Sequence, residues 1–192
     1  MVEKYHISAE ELLEDSFRLG MQILESGFKP SYIVGIWRGG SPPGIAVQEL
    51  LDFFDVSADH IAIRTSAYTG IDERGDHVRV HGLHYIVENV NAEDSLLIVD
   101  DVFDSGSSIA ATIEHIHRLC RRNAPHDIRV ATVYYKPRKN ITTRVPDYFV
   151  HETDKWLVFP HELAGLTDDD IRAKKSGGDV VMNKLLEMRE KK

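Results

Sequence analysis

The chain has 192 residues, of which 42% are apolar and 28% charged. These ordinary shares exclude wholesale disorder, a collagen-like fibre and a membrane-embedded chain. Lys plus Arg number 23 against 31 Asp plus Glu, a net of −8, which argues against a non-specific grip on nucleic acid or anionic lipid.

Ser8 followed by Glu11 is a capping-box pattern. It opens a helix carrying Leu12, Leu13, Phe17, Met21 and Leu24 at helical spacing, and Gly27 ends the run. Tyr32 to Ile36 is a short buried strand that enters the turn Trp37-Arg-Gly-Gly-Ser-Pro-Pro43. A helix is expected from Gly44 to Phe54, then a strand from His60 to Arg64. Residues 65–76 read as an exposed loop, and His77–Val80 with His84–Val87 as a hairpin around Gly82. Leu96 to Val99 is a strand bounded by acids. Ser107 or Ser108 is expected to cap a helix reaching about Arg122. Strands follow at Ile128–Tyr135, Tyr148–His151 and Trp156–Phe159. This alternation predicts an α/β fold with an open, mainly parallel sheet and helices on both faces. Residues 1–166 form the expected domain, and 167–192 a charged helical extension interrupted by Ser176-Gly177-Gly178. The single cysteine, Cys120, permits no internal disulfide, and the N-terminus lacks a secretory pattern, so a reducing cytoplasm is the expected setting.

The most informative stretch is Leu96-Leu-Ile-Val-Asp-Asp-Val-Phe-Asp-Ser-Gly-Ser-Ser108. A buried strand delivers Asp100 and Asp101 at its C-terminal end, where open α/β sheets bind ligands. A turn of small residues and a helix start follow. Gly106 allows close backbone approach, and the N–H groups from Asp104 to Ser108, with the hydroxyls of Ser105, Ser107 and Ser108, suit one phosphate. The two acids before the turn suit either hydroxyls or a divalent metal. A ribose phosphate satisfies both halves. There is no Lys for a Walker loop and no Gly-x-Gly-x-x-Gly turn.

Val99-Asp-Asp-Val-Phe-Asp-Ser-Gly-Ser-Ser108 resembles the phosphoribosyl-pyrophosphate loop of the type I phosphoribosyltransferases, with Ser at both positions where the family form carries Thr. The resemblance covers roughly residues 30–163 and four motifs. It implies that Asp100 and Asp101 hold the ribose hydroxyls, with Asp101 near a Mg²⁺ ion. It implies further that Asp104 handles the purine N7 proton as general acid/base, and that Ser105, Gly106, Ser107 and Ser108 hold the 5′-phosphate. Trp37-Arg38-Gly39-Gly40 resembles the Arg-Gly-Gly turn of the xanthine–guanine enzymes, which implies a cis bond between Trp37 and Arg38 and pyrophosphate held by Arg38 and Gly39. Arg64 to Arg74 is similar to the family's lid, with Tyr68 and Arg74 closing on pyrophosphate, although Ala67 separates Ser66 from Tyr68. Lys136 matches the lysine that donates to the purine O6. Asp154-Lys-Trp-Leu-Val-Phe-Pro-His-Glu162 resembles the purine clamp, with Trp156 stacking on the base, the Leu157 backbone reading its edge, and Glu162 where the family has Asp.

The resemblance implies a type I phosphoribosyltransferase core with a small hood. The implied reaction transfers 5-phosphoribose from phosphoribosyl pyrophosphate to a 6-oxopurine (hypoxanthine, guanine or xanthine) in purine salvage. Mg²⁺ is the implied cofactor, and a homodimer or homotetramer the implied assembly, with no nucleic-acid or membrane partner. A regulator that senses phosphoribosyl pyrophosphate, or a transferase for another base, are the competing expectations. No Lys-x-x-x-Lys-x-His-Gly lid of the orotate type is present. His77 and His81, four residues apart on a strand, are about 13 Å apart by rise per residue, too far for one metal.

Overall fold

A computed structural model describes residues 4–68, 77–173 and 179–190. The chain divides into two compact units, residues 15–154 and residues 1–14 with 155–192.

The larger unit is built on a six-stranded sheet. Its elements are β2 (Tyr32–Trp37), α2 (Ser41–Phe53), β3 (Asp59–Tyr68), β4 (His77–His81), α3 (His84–Asn89), β5 (Ser95–Phe103), α4 (Ser107–Cys120), β6 (Asp127–Tyr135) and β7 (Tyr148–Glu152). They follow β1 (Lys4–His6) and α1 (Ala9–Glu25) along the chain. The strand order is β4-β3-β2-β5-β6-β7, with every neighbouring pair parallel except β3 and β4. Central β5 reads Leu96-Leu-Ile-Val99, all four residues fully buried, as a strand covered on both faces must. On one face Val34, Ile36, Ile98 and Val130 meet Ile86 of α3 and Ile109 and Ile116 of α4. On the other, Gly35 lets α2 approach through Gly44, and a Cβ on Gly44 would lie 3.8 Å from the Gly35 Cα. Burial pushes the Cys120 thiol up, away from the thiolate, in keeping with a packing role.

The smaller unit pairs β1 in parallel with β8 (Trp156–Val158), Tyr5 opposite Leu157. It adds α5 (Asp168–Ala173) and α6 (Asp179–Glu190) over a small core of Val158, Leu166, Ile171 and Leu186. Asp170 is a pin. It accepts from Lys4 Nζ at 2.7 Å, from the Thr167 N–H at 3.0 Å and from the Thr167 hydroxyl at 2.8 Å. Among the described residues no helix is long and apolar enough to cross a membrane.

Four local expectations are corrected. His84–Val87 is helical, not the second arm of a hairpin, because Leu83, Ile86 and Val90 are the buried positions, three and four residues apart. The partner of β4 is β3, which runs on to Tyr68 through the segment expected as loop; residues 69–76 lie outside the described residues. Helix α2 begins at Ser41, since Pro42 needs no N–H partner in a first turn. Helix α1 has the expected capping box, Glu11 N–H to Ser8 Oγ at 3.0 Å, but not the expected inner face. Leu12, Leu19 and Ile23 are buried with Asp15 and Ser16, while Leu13, Phe17 and Met21 are exposed. Asp15 is held by His151 at 2.7 Å and by Arg18 at 3.2 Å, which is how a carboxylate is tolerated on the inner face.

Candidate active site

Strand β5 ends in the acid–glycine–serine turn, and the chain enters α4 through Gly106 at φ +79°, a left-handed conformation suited to glycine. A Cβ at this position would also come within 2.7 Å of the Phe103 ring and of Thr142 Oγ1. No side chain caps the helix, which corrects the expectation for Ser107 and Ser108. Instead Ser105 Oγ accepts the Ser107 N–H at 3.3 Å and contacts the Ser107 hydroxyl at 3.1 Å. Among the described residues nothing accepts from the N–H groups of Asp104, Ser105 or Gly106. These amides at the head of a fourteen-residue helix suit an anion.

The turn after β2 lies directly against the acids. The bond between Trp37 and Arg38 is cis, as the resemblance implied. A Cβ on Gly39 would sit 2.1 Å from the Asp101 carboxylate, and one on Gly40 would sit 2.3 Å from the Val99 carbonyl oxygen. Only glycine fits at either position. Arg38 is exposed, beside this rim in sequence. Burial pushes the Asp100 carboxyl well above the usual carboxylate range, and the adjacent Asp101 charge pushes the same way. The Asp101 N–H, donated to Asp100 Oδ1 at 3.0 Å, opposes the rise. Two crowded carboxyl groups of this kind favour a cation or hydroxyl donors between them.

Lys136 follows β6 and is bound into the same turn, its N–H donating to the Phe103 carbonyl at 2.9 Å. Its side chain is only 5% exposed, and its ammonium donates to Asp104 Oδ2 at 3.2 Å. An ammonium has three donors, so this bond leaves two for a ligand. The structure thus brings together Arg38, Gly39, Asp100, Asp101, Asp104, Ser105, Gly106, Ser107, Ser108 and Lys136 at the C-terminal end of the parallel strands.

Tyr68 is the last residue of β3, with its side chain outside the described residues, and Arg74 lies wholly outside them. Trp156, Leu157 and Glu162 belong to the smaller unit. Trp156 is 53% exposed and Leu157 buried, both on β8. Glu162 accepts the Phe159 N–H at 3.1 Å and so closes its own turn, a role the sequence did not suggest. Sequence reasoning also missed Asn140 and Thr142, whose side chains close the loop behind the phosphate turn. An Asn two residues before a Thr, just past Lys136, is the only local signal.

A parallel sheet that ends in paired acids, a glycine-led helix start and a facing Gly-Gly turn defines an α/β protein that handles phosphorylated ligands. The family model described as phosphoribosyl transferase domain matches residues 8–164, and the chain belongs to that family. It is similar to the purine phosphoribosyltransferase of Pyrococcus horikoshii, at 27% identity and a TM-score of 0.66, over 86% of this chain and 97% of that one. It shares its fold with the xanthine-guanine-hypoxanthine phosphoribosyltransferase of Helicobacter pylori, at 20% identity and a TM-score of 0.61, over 91% and 99%. The same holds for a Neisseria gonorrhoeae protein crystallised with ppGpp, at 17% identity and a TM-score of 0.68, over 93% and 99%. The comparison with curated proteins gave no match.

Proposed function

We propose that this member of the family transfers 5-phosphoribose from phosphoribosyl pyrophosphate to a 6-oxopurine, releasing pyrophosphate. The contact between Lys136 and Asp104 carries the purine assignment, because it sets a buried ammonium beside a carboxylate at the rim of the phosphate turn. The ammonium donates to the base O6, and Asp104 accepts or returns the N7 proton. The open amides of Asp104, Ser105 and Gly106, with the hydroxyls of Ser105, Ser107 and Ser108, hold the 5′-phosphate. Asp100 and Asp101 orient the ribose hydroxyls. Arg38 and the Gly39 backbone stabilise the departing pyrophosphate, joined by Tyr68 and Arg74. In the smaller unit, the segment from Trp156 through Leu157 to Glu162 resembles the family's purine clamp, and Glu162 holds that segment in shape.

The donor set suits Mg²⁺. Asp100 and Asp101 offer only oxygen, and their crowding favours a nearby cation. Among the described residues no cluster of three or more His, Cys, Asp or Glu forms a protein-only cage. The ion would supply charge neutralisation to the pyrophosphate. The assembly we propose is a homodimer or homotetramer.

Purified protein given phosphoribosyl pyrophosphate, Mg²⁺ and hypoxanthine, guanine or xanthine should release pyrophosphate in step with nucleotide for at least one base. Tight binding of phosphoribosyl pyrophosphate with no release for any base would favour a sensing regulator and overturn this assignment.

A further inference from the structure

We propose that the turn Asn140-Ile141-Thr142 is the positioning device of the phosphate turn, aiming its amide groups at the 5′-phosphate. The proposal rests on the assignment of Ser105 to Ser108 as the phosphate cup and adds what sets that cup's geometry.

The argument begins with peptide planarity. In a trans peptide the carbonyl and the following N–H point in opposite directions. The only cis bond among the described residues is that of Trp37–Arg38, so the phosphate turn is trans throughout. Two of its carbonyls are tied down. The Phe103 carbonyl accepts the Lys136 N–H at 2.9 Å, and the Ser105 carbonyl accepts the Ile141 N–H at 3.1 Å. Both carbonyls therefore point toward the 136–141 segment, and the next amides, of Asp104 and Gly106, point away from it. These are two of the amides that have no protein acceptor among the described residues.

The first tie extends the β5–β6 ladder and follows from sheet register, Phe103 opposite Tyr135. The second lies beyond the strands and depends on the loop's own shape. Asn140 sets that shape. Its Oδ1 accepts the Thr142 N–H and the Thr142 hydroxyl, each at 2.8 Å. Its Nδ2 donates to the Arg144 carbonyl at 2.8 Å and lies 3.4 Å from the Tyr135 hydroxyl. Such an Asn-centred turn is compact and fixes the N–H between its ends, here that of Ile141. Thr142 then stands against Gly106 from behind, where its Oγ1 would lie 2.7 Å from any Cβ. The turn thus holds the Ser105–Gly106 peptide from two sides.

The test is calorimetric binding of two probes, ribose 5-phosphate and inorganic pyrophosphate with Mg²⁺, to full-length wild type and variants. Asn140→Ala should weaken ribose 5-phosphate about tenfold, the effect of misdirecting one hydrogen bond to a charged group. Pyrophosphate, assigned to the turn after β2, should bind as in wild type. Asn140→Ser keeps a short acceptor for the Thr142 N–H and should recover most of the loss. If Asn140→Ala does not fold, Thr142→Val carries the test, with a smaller selective loss of about threefold. Unchanged ribose 5-phosphate binding in a folded Asn140→Ala or Thr142→Val protein would overturn the proposal. Equal weakening of both probes would also overturn it, since that marks general loosening. Wild type that failed to bind ribose 5-phosphate would bring down the phosphate assignment itself, a result separate from either.

Discussion

The phosphate side and the base side of the candidate site are made from different material. The phosphate side is main chain. Gly39, Gly40 and Gly106 each stand where a single Cβ would strike a neighbour at 2.1–2.7 Å, and the groups offered to the ligand there are chiefly amides held by carbonyl ties. The proposed base side is side chain, comprising the Lys136 ammonium and the Asp104 carboxylate. A phosphate is the same in every substrate, so a rigid backbone cup serves it. Bases differ at their edges, and side chains are what a sequence can vary without remaking the turn.

The contrast predicts that glycine substitutions do more harm than loss of a functional side chain. Gly106→Val should give the largest effect. The residue must adopt a left-handed φ, and its side chain meets Phe103 and Thr142. A displacement of about 1 Å in a catalytic site alone costs on the order of a hundredfold. With the 5′-phosphate anchor lost as well, kcat/KM should fall beyond the roughly 10²–10⁴-fold of a lost acid–base group, and ribose 5-phosphate binding should disappear in calorimetry. A valine variant that bound phosphate normally would break the contrast.

On the side-chain side, Asp104→Asn should retain phosphoribosyl-pyrophosphate binding while turnover falls about 10²–10⁴-fold, the usual worth of general acid–base help. Steady-state kinetics with binding measured alongside would show this, and wild-type turnover would remove the role assigned to Asp104. Lys136→Ala should be smaller and more selective. A charge-assisted hydrogen bond in a closed site is worth about 1.5–3 kcal/mol, so 6-oxopurine affinity should drop roughly 10- to 150-fold. Phosphoribosyl-pyrophosphate affinity should stay nearly intact.

The smallest effect concerns the unit that carries Trp156. The Lys4 ammonium, then the Thr167 N–H and hydroxyl, hold the Asp170 carboxyl well below the usual carboxylate range. A carboxylate with a depressed folded pKa stabilises fully above its unfolded value, about 3.9, and loses that contribution as pH falls below it. The stability difference between wild type and Asp170→Asn in urea unfolding should therefore be constant near neutrality and shrink below about pH 4. A difference that grew on acidification would reverse the assignment.

The same division governs what was legible in the sequence. The phosphate turn was visible in contiguous residues, and the cis turn through the family resemblance of its own short motif, because backbone sites need particular residues in a row; the strand order was not. The contact of Lys136 with Asp104 was less visible, since it arises from pairing β5 with β6, 32 positions apart. Asn140 and Thr142 left only the local signal of an Asn two residues before a Thr, because their place behind Ser105 and Gly106 joins distant stretches of the chain. Two misreadings have local causes. Tyr85-Ile-Val87 has the composition of a strand, and only the burial of Leu83, Ile86 and Val90 reveals a helix. In α1 the hidden face includes Asp15 and Ser16, so an apolar pattern alone selected the exposed residues Leu13, Phe17 and Met21.

The proposed transfer of phosphoribose to 6-oxopurines depends on the Lys136 ammonium. One tube holding wild-type protein, phosphoribosyl pyrophosphate, Mg²⁺ and equal amounts of hypoxanthine, guanine, xanthine and adenine tests it most directly, with the nucleotides resolved by mass spectrometry. The account predicts monophosphates of one or more 6-oxopurines and almost no adenine product, because an ammonium facing the adenine amino group leaves both donors unpaired. Adenine nucleotide formed as readily as the others, or no nucleotide at all, would contradict it.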